Sequence, residues 1–382
     1  MPVRVLNFDD LGSHTAFGEL EVAPFMPLTG WAFTYNINPT VVNTDIQDTG
    51  TVVNSLGHAE LSTGSSATGY AKIETVRSSR YIPGVGGVAR FTALFDIPQE
   101  DSKQVIGLIN GADGWAFGYN GTRFGILRKV NNIENWTYQE DWNVDKKENL
   151  DQTKGNVYQI RYQWLGYGMQ YFYIEDETGN LELVHKIEYS NKNTETSILN
   201  PNLPMGAYVV NIGNTTPLTL RTPSAIAGLN GDGFNDAISS NVGADVITTI
   251  GSALTDAPLI SFRMADIYKL KANRLFSQIL RFIFASEGNK PVLFRAYAGG
   301  TVNGGTWEYI NEEASPLEVN NTMTSYILGQ RIGAFPLGKA DTLAVDLIAS
   351  NFRLYANQLI TITATTQGAS DLVVTANWKS YV

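Results

Sequence analysis

The sequence predicts an all-β chain built from antiparallel sandwiches or barrels, and three observations carry that reading. Glycine (36), tyrosine (18) and phenylalanine (17) are abundant, while only 17% of the 382 residues are charged. That mixture fills pleated surfaces and tight turns, not helix faces. Short apolar and β-branched runs recur with turn signals between them, and no helical stretch intervenes over residues 70–222. Near the C-terminus the alternation is clean, as in Leu343/Val345/Leu347, Ile360/Ile362/Ala364 and Leu372/Val374/Ala376/Trp378. At roughly 150 residues per domain, the length suggests two or three domains.

Taken in order, residues 1–69 are turn-rich and poor in charge, with one strand signal at 31–37 (WAFTYNI). They read as an irregular N-terminal assembly or anchoring segment that lies on a neighbour. From Tyr70 strands become dense: 89–97, 105–109, 115–120, 124–127, 157–164, 169–174 and 181–187. Asn120-Gly121 between two of these is a strong hairpin signal, because a type I′ turn needs positive φ at both central positions. A second turn is expected at 176–180. Residues 70–226 form the first β-domain. Residues 227–257, rich in Gly, Asn, Asp, Ser and Ala, read as a linker or a short helix around 241–254. Strands resume over 258–382, a second β-sandwich. There 275–285 is ambiguous, since Leu275, Ile279 and Phe282 also fit a helix face.

Charge and composition exclude several functions. A net charge of −10 gives no attraction to nucleic acid or to an anionic membrane. The absence of cysteine excludes disulfides, thiolate catalysis and Cys-ligated metal. The first ten residues turn acidic before an apolar run builds, so no signal peptide is expected. The most apolar stretch, 275–285, is interrupted by Gln278 and Arg281 and is too short to span a bilayer. A soluble protein is expected.

The search for reactive groups nominates no catalytic residue, no metal ligand set and no cofactor. His14, His58 and His185 are far apart, and His185 alternates with Leu183 and Ile187 as a strand histidine would. Gly84-Val85-Gly86-Gly87 lacks the lysine and helix of a phosphate cradle. A glycosidase on a sandwich needs two opposed carboxylates. Glu140-Asp141, Glu175-Asp176-Glu177 and Glu312-Glu313 read instead as solvated turn acids. The loop Asn230-Gly231-Asp232-Gly233-Phe234-Asn235-Asp236 fails the calcium-loop spacing, with Phe234 at the fifth position and Asn241 at the twelfth. Aromatics are the remaining candidates. Trp115/Phe117/Tyr119 alternate as core residues do, whereas Trp136 and Trp142 lie in polar surroundings. With Arg123 and Tyr138 they form a candidate ligand-binding platform, since exposed aromatics stack on sugar rings or pack into interfaces.

Three stretches carry a resemblance: 79–95 (SRYIPGVGGVARFTALF), 118–127 (GYNGTRFGIL) and 154–166 (KGNVYQIRYQWLG). Together they resemble virion structural proteins of tailed phages and other large DNA viruses. Phe262-Arg263, Asn273-Arg274, 291–297 (PVLFRAY) and Lys339-Ala340-Asp341 are similar to a C-terminal domain of the same kind of protein. The order over 154–189 also resembles concanavalin/laminin-G jelly rolls. The resemblance implies a non-enzymatic fibre, tail or capsid-surface component, found in the virion after assembly in the host cytoplasm. Its partners would be other virion proteins and copies of itself, as a homotrimer by analogy with viral fibres. Two alternatives stand beside it: a carbohydrate-binding adhesin that meets a host-surface glycan through Trp136, Trp142 and Arg123, and, more remotely, a polysaccharide-degrading enzyme, for which no carboxylate pair is nominated.

Overall fold

A computed structural model describes residues 23–231, 239–250, 252–347 and 352–381. The chain divides into two compact units, Met1–Phe234 and Asn235–Val382. Both are antiparallel β-structures, as the sequence predicts.

The first unit contains sixteen strands among its described residues: β1 (Phe25–Ala32), β2 (Val42–Gln47), β3 (Thr51–Ser55), β4 (His58–Ser62), β5 (Tyr70–Ser79), β6 (Gly86–Ala93), β7 (Ser102–Ile109), β8 (Gly114–Asn120), β9 (Arg123–Val130), β10 (Ile133–Tyr138), β11 (Asn156–Tyr162), β12 (Gln170–Glu175), β13 (Leu181–Ile187), β14 (Leu203–Asn211), β15 (Thr219–Thr222) and β16 (Ser224–Asn230). Six of them make one sheet in the order β1-β16-β6-β11-β12-β13, and seven make another, β10-β9-β8-β7-β14-β5-β2. A small third sheet is β15-β4-β3. The crossovers in these orders are those of a jelly-roll sandwich. Its core is aromatic: Phe91, Trp115, Phe117, Tyr158 and Phe172 from the two large sheets, with Phe95 just beyond β6, are all buried in one cluster.

The expected turns form. Asn120 and Arg123 close the β8–β9 hairpin, and Gly121 takes φ 61°. In the β12–β13 turn the Asp176 carboxylate accepts from the amides of Thr178 and Asn180, each at 2.8 Å, and Gly179 takes φ 84°. His185 is buried, accepts a 3.3 Å hydrogen bond from the Asn143 amide, and is held below its ordinary pKa by that burial.

Two expectations are corrected. Residues 1–22 lie outside the described residues, but the rest of the expected N-terminal assembly segment belongs to the sandwich. β1 pairs with β16 and β2 with β5. The turn-like signals in β1 are strand devices: the register shifts between Pro27 and Thr29, and a Cβ on Gly30 would meet the Ala225 carbonyl oxygen at 2.2 Å. The linker or helix expected within 227–257 is, over its described residues, mostly strand. Ser239–Ile250 pairs residue for residue with Ser370–Tyr381. Ala244 and Val246 point into the second core, while Ile247 is exposed. Small residues on a strand weaken the apolar alternation, so the period was hidden. The loop Asn230–Asp236 lies mostly outside the described residues.

In the second unit one sheet runs through Ser239–Ile250, Ser370–Tyr381, Phe276–Ser286 and Asp341–Asp346. The other runs through Glu308–Tyr309, Leu317–Asn320, Leu254–Met264, Leu359–Thr366, Val292–Ala298 and Gln330–Leu337. Phe276–Ser286 resolves the ambiguity at 275–285 in favour of a strand. Phe262, Phe284, Phe294 and Trp378 fill the core.

Candidate functional site

In a strand, alternate side chains face opposite sides. In the seven-stranded sheet Ala71, Ile73, Ile106, Leu108, Phe117, Ile126, Ala207 and Val209 face the core. The residues between them form the outer face, and the pairing register places them in rows. One row runs Lys72, Tyr208, Val105, Gly118, Gly125, Tyr138. The next runs Glu74, Gly206, Gly107, Ala116, Leu127, Trp136.

Small residues dominate the middle of both rows: Gly118 and Gly125 beside Val105 in the first, and Gly206, Gly107 and Ala116 beside Leu127 in the second. A Cβ on Gly118 would meet the Gln104 carbonyl oxygen at 2.1 Å, and one on Gly107 the Trp115 carbonyl oxygen at 2.4 Å. The floor is closed to side chains, which leaves a trough. Val105, Ile109, Ala116 and Leu127 make a small apolar cluster along it, with Trp136 and Tyr208 packed against them.

Long side chains arch over this floor. Glu134 lies in the row of Ile109, six residues along β7 from Lys103, roughly 20 Å on a flat sheet. Yet Lys103 Nζ meets Glu134 Oε2 at 2.7 Å. The sheet therefore curls toward its outer face. Glu134 also accepts from Trp136 Nε1 at 3.0 Å, and Lys129 Nζ stands 3.9 Å from its other oxygen. Burial alone would raise the Glu134 pKa, but the hydrogen bonds from Lys103 and Trp136 outweigh it and hold the carboxyl below its ordinary range. Lys129 is shifted down, first by burial and then by Lys103 and Lys72, against the pull of Glu134. On the far wall Lys72 pairs with Glu74 at 2.6 Å. The rings of Tyr70 and Tyr208 stand 6.4 Å apart there. Burial, then acidic neighbours, push both phenols above their ordinary range.

Three of the four residues expected to form a platform meet on this face. Trp136 and Tyr138 lie on β10 with ring planes 8° apart and centroids at 6.3 Å. The Arg123 guanidinium lies 3.4 Å over the Tyr138 ring and is paired with Glu140. Asn120 Nδ2 donates to the Tyr138 hydroxyl at 3.1 Å. The fourth, Trp142, is corrected: it is 3% exposed and sits in the core, edge-on to Phe117 and Phe124. A single 3-10 turn, Gln139–Asp141, reverses the chain and points the indole inward, where Nε1 donates to the Thr137 carbonyl at 3.2 Å. Its polar sequence neighbours Glu140 and Asp141 are exposed, and one inward residue after a turn has no periodicity to betray it.

The sequence reading missed Tyr70, Lys72, Lys103, Lys129, Glu134 and Tyr208. They come from five strands and share no spacing. A weak signal exists in Tyr70/Lys72/Glu74 alternating with Ala71 and Ile73. Among the described residues no group of three or more potential metal ligands converges.

A second depression, about 580 Å³, lies in the second unit against Arg263, Trp307 and Glu318. There Arg263 stacks on Trp307 at 4.3 Å and pairs with Glu318 at 2.6 Å, the same kind of arrangement that Arg123 makes with Tyr138 and Glu140.

No family model matches the chain, and no curated protein matches it. Solved structures do. A glycoside hydrolase family protein from Mycobacterium thermorestibile is 13% identical, with 52% of this chain and 99% of that one covered and a TM-score of 0.37. A glycosyl hydrolase family 16 protein from Mycobacterium smegmatis is 12% identical, with 53% and 100% covered and a TM-score of 0.38. An endo-β-1,4-glucuronan lyase from the fungus Trichoderma reesei is 12% identical, with 49% and 90% covered and a TM-score of 0.31. Against the expectation of a non-enzymatic virion component, these three are two glycoside hydrolase family proteins and a lyase, and none of them is a virion protein. Identities this low leave substrate and reaction to the geometry of the site itself.

Proposed function

We propose that this chain is a carbohydrate-active protein whose curled outer sheet face holds a polysaccharide. One observation carries the reading: Trp136, Tyr138 and Arg123 stand in file beside a trough floored by Gly107, Ala116, Gly118 and Gly125. A sugar ring offers an apolar C–H face and a rim of hydroxyls. The aromatic file takes the first, and Asn120 and the lysines can hydrogen-bond the second. The low floor of glycine and small apolar residues gives a linear polymer room to lie across the strands.

Affinity electrophoresis of the full chain through gels containing neutral and acidic polysaccharides tests this directly. At least one polymer should retard it, and Trp136→Ala with Tyr138→Ala should lower that affinity about tenfold, or roughly 1.4 kcal/mol. Unchanged retardation of the double variant, with its far-ultraviolet circular dichroism preserved, would sink the assignment of the site. The retained polymer is then the substrate in which to measure chain cleavage.

A further inference from the structure

We infer that the polysaccharide is anionic, and that one of its carboxylate or sulfate groups enters a pocket made by the Lys129 ammonium and the hydroxyls of Tyr70 and Tyr208. This rests on the saccharide-binding reading above and adds the charge of the substrate to it.

The pocket, about 180 Å³, opens on the curled face between the arch and the far wall. Of the charged residues lining it, three are lysines, Lys72, Lys103 and Lys129, and one is Glu134. That is an excess of positive charge on a chain whose net charge is −10. Two of the lysines are committed, Lys72 to Glu74 at 2.6 Å and Lys103 to Glu134 at 2.7 Å. Lys129 is not. Its ammonium makes no hydrogen bond to any described residue, its nearest carboxylate oxygen is 3.9 Å away, and its side chain is only 16% exposed. The hydroxyls of Tyr70 and Tyr208 likewise have no hydrogen-bond partner among the described residues, and both line the pocket. Asp45, in the row of Lys72, stands exposed on the outermost strand.

Three donors that hydrogen-bond no described residue therefore line one pocket. An oxyanion accepts from all three through charge-assisted hydrogen bonds. A neutral sugar hydroxyl brings a proton of its own, and Glu134, whose Oε2 already takes Lys103 and Trp136, offers it only Oε1, which faces Lys129 at 3.9 Å. Phenols are protonated at neutral pH, and burial moves these two further in that direction, so both are donors. Glu134 ties the pocket to the platform, because Trp136 is two residues along the same face of β10.

The experiment is affinity electrophoresis of the full chain in gels containing alginate, carboxyl-reduced alginate, dextran sulfate or a neutral β-glucan. Alginate or dextran sulfate should retard the protein more than the neutral polymer does, against the repulsion expected from its net charge. Lys129→Gln and the pair Tyr70→Phe with Tyr208→Phe should each weaken that retention about five- to tenfold, and Lys129→Arg should keep most of it. Retention by alginate that disappears on carboxyl reduction assigns a uronate carboxylate; retention by dextran sulfate alone assigns a sulfate ester. Equal retention by neutral and anionic polymers, unaffected by Lys129→Gln and by the phenylalanine pair, overturns the inference and leaves the saccharide reading standing. Retention by no polymer overturns both.

Discussion

At the scale of single residues, Glu134 and Trp142 show how burial assigns opposite roles to neighbours on one short stretch. Glu134 is held ionised by Lys103 and Trp136, so its folded-state pKa lies below the ordinary carboxylate range. A depressed carboxyl pKa adds stability that is present above the unfolded value and lost as pH falls through the folded one. Urea unfolding should therefore show wild type more stable than Glu134→Gln at neutral pH, with the gap closing as pH drops below the ordinary carboxylate range. The same substitution removes the negative charge from the pocket lining, so Glu134→Gln should bind an anionic polymer several-fold more tightly. Weaker binding by a folded Glu134→Gln would mean that the carboxylate itself contacts the sugar. Trp142 belongs to the core. Trp142→Ala should cost about 3–5 kcal/mol in chemical denaturation, as for other large buried aromatics, and a cost below about 1 kcal/mol would put the indole at the surface instead.

Elements explain both the trough and the limits of reading it from sequence. Gly107, Gly118 and Gly125 are paired in register with the close backbone of the next strand, and each closes the floor to side chains. Gly118→Val should destabilise the first unit by about 1–3 kcal/mol through overpacking and should lower polymer retention in parallel. A neutral effect on both would mean that the floor can yield. The hairpins were legible because a turn needs particular residues, as Asn120-Gly121 and the Asp176 turn did. The aromatic core strands were legible because Trp115, Phe117 and Tyr119 keep a period of two. β1 and Ser239–Ile250 were not, since glycine, proline, serine and alanine carry little apolar signal even where they pair fully. The lysine–tyrosine pocket was illegible for a different reason. Its members are single residues on β5, β7, β9, β10 and β14, brought together by sheet order and curl, neither of which has a local signature.

On the scale of the whole molecule, each unit encloses its own core. Phe91, Trp115, Phe117, Tyr158 and Phe172 belong to one cluster, and Phe262, Phe284, Phe294 and Trp378 to another. Every residue of the proposed trough and pocket comes from the first. A unit with its own core and its own site has what it needs to fold and bind alone. A chain ending at Phe234 should accordingly unfold in one cooperative transition and keep the polymer retention of the full protein within about threefold, which is less than 1 kcal/mol. A chain beginning at Asn235 should fold and show no retention by the polymer that retards the first unit. Were the first unit to fold but lose retention, the second unit would have to complete the site, and the platform of Trp136, Tyr138 and Arg123 would be one wall of a larger one. Retention by the second unit instead would move the search to the depression beside Arg263 and Trp307, whose stacked pair would then have to open to admit a sugar.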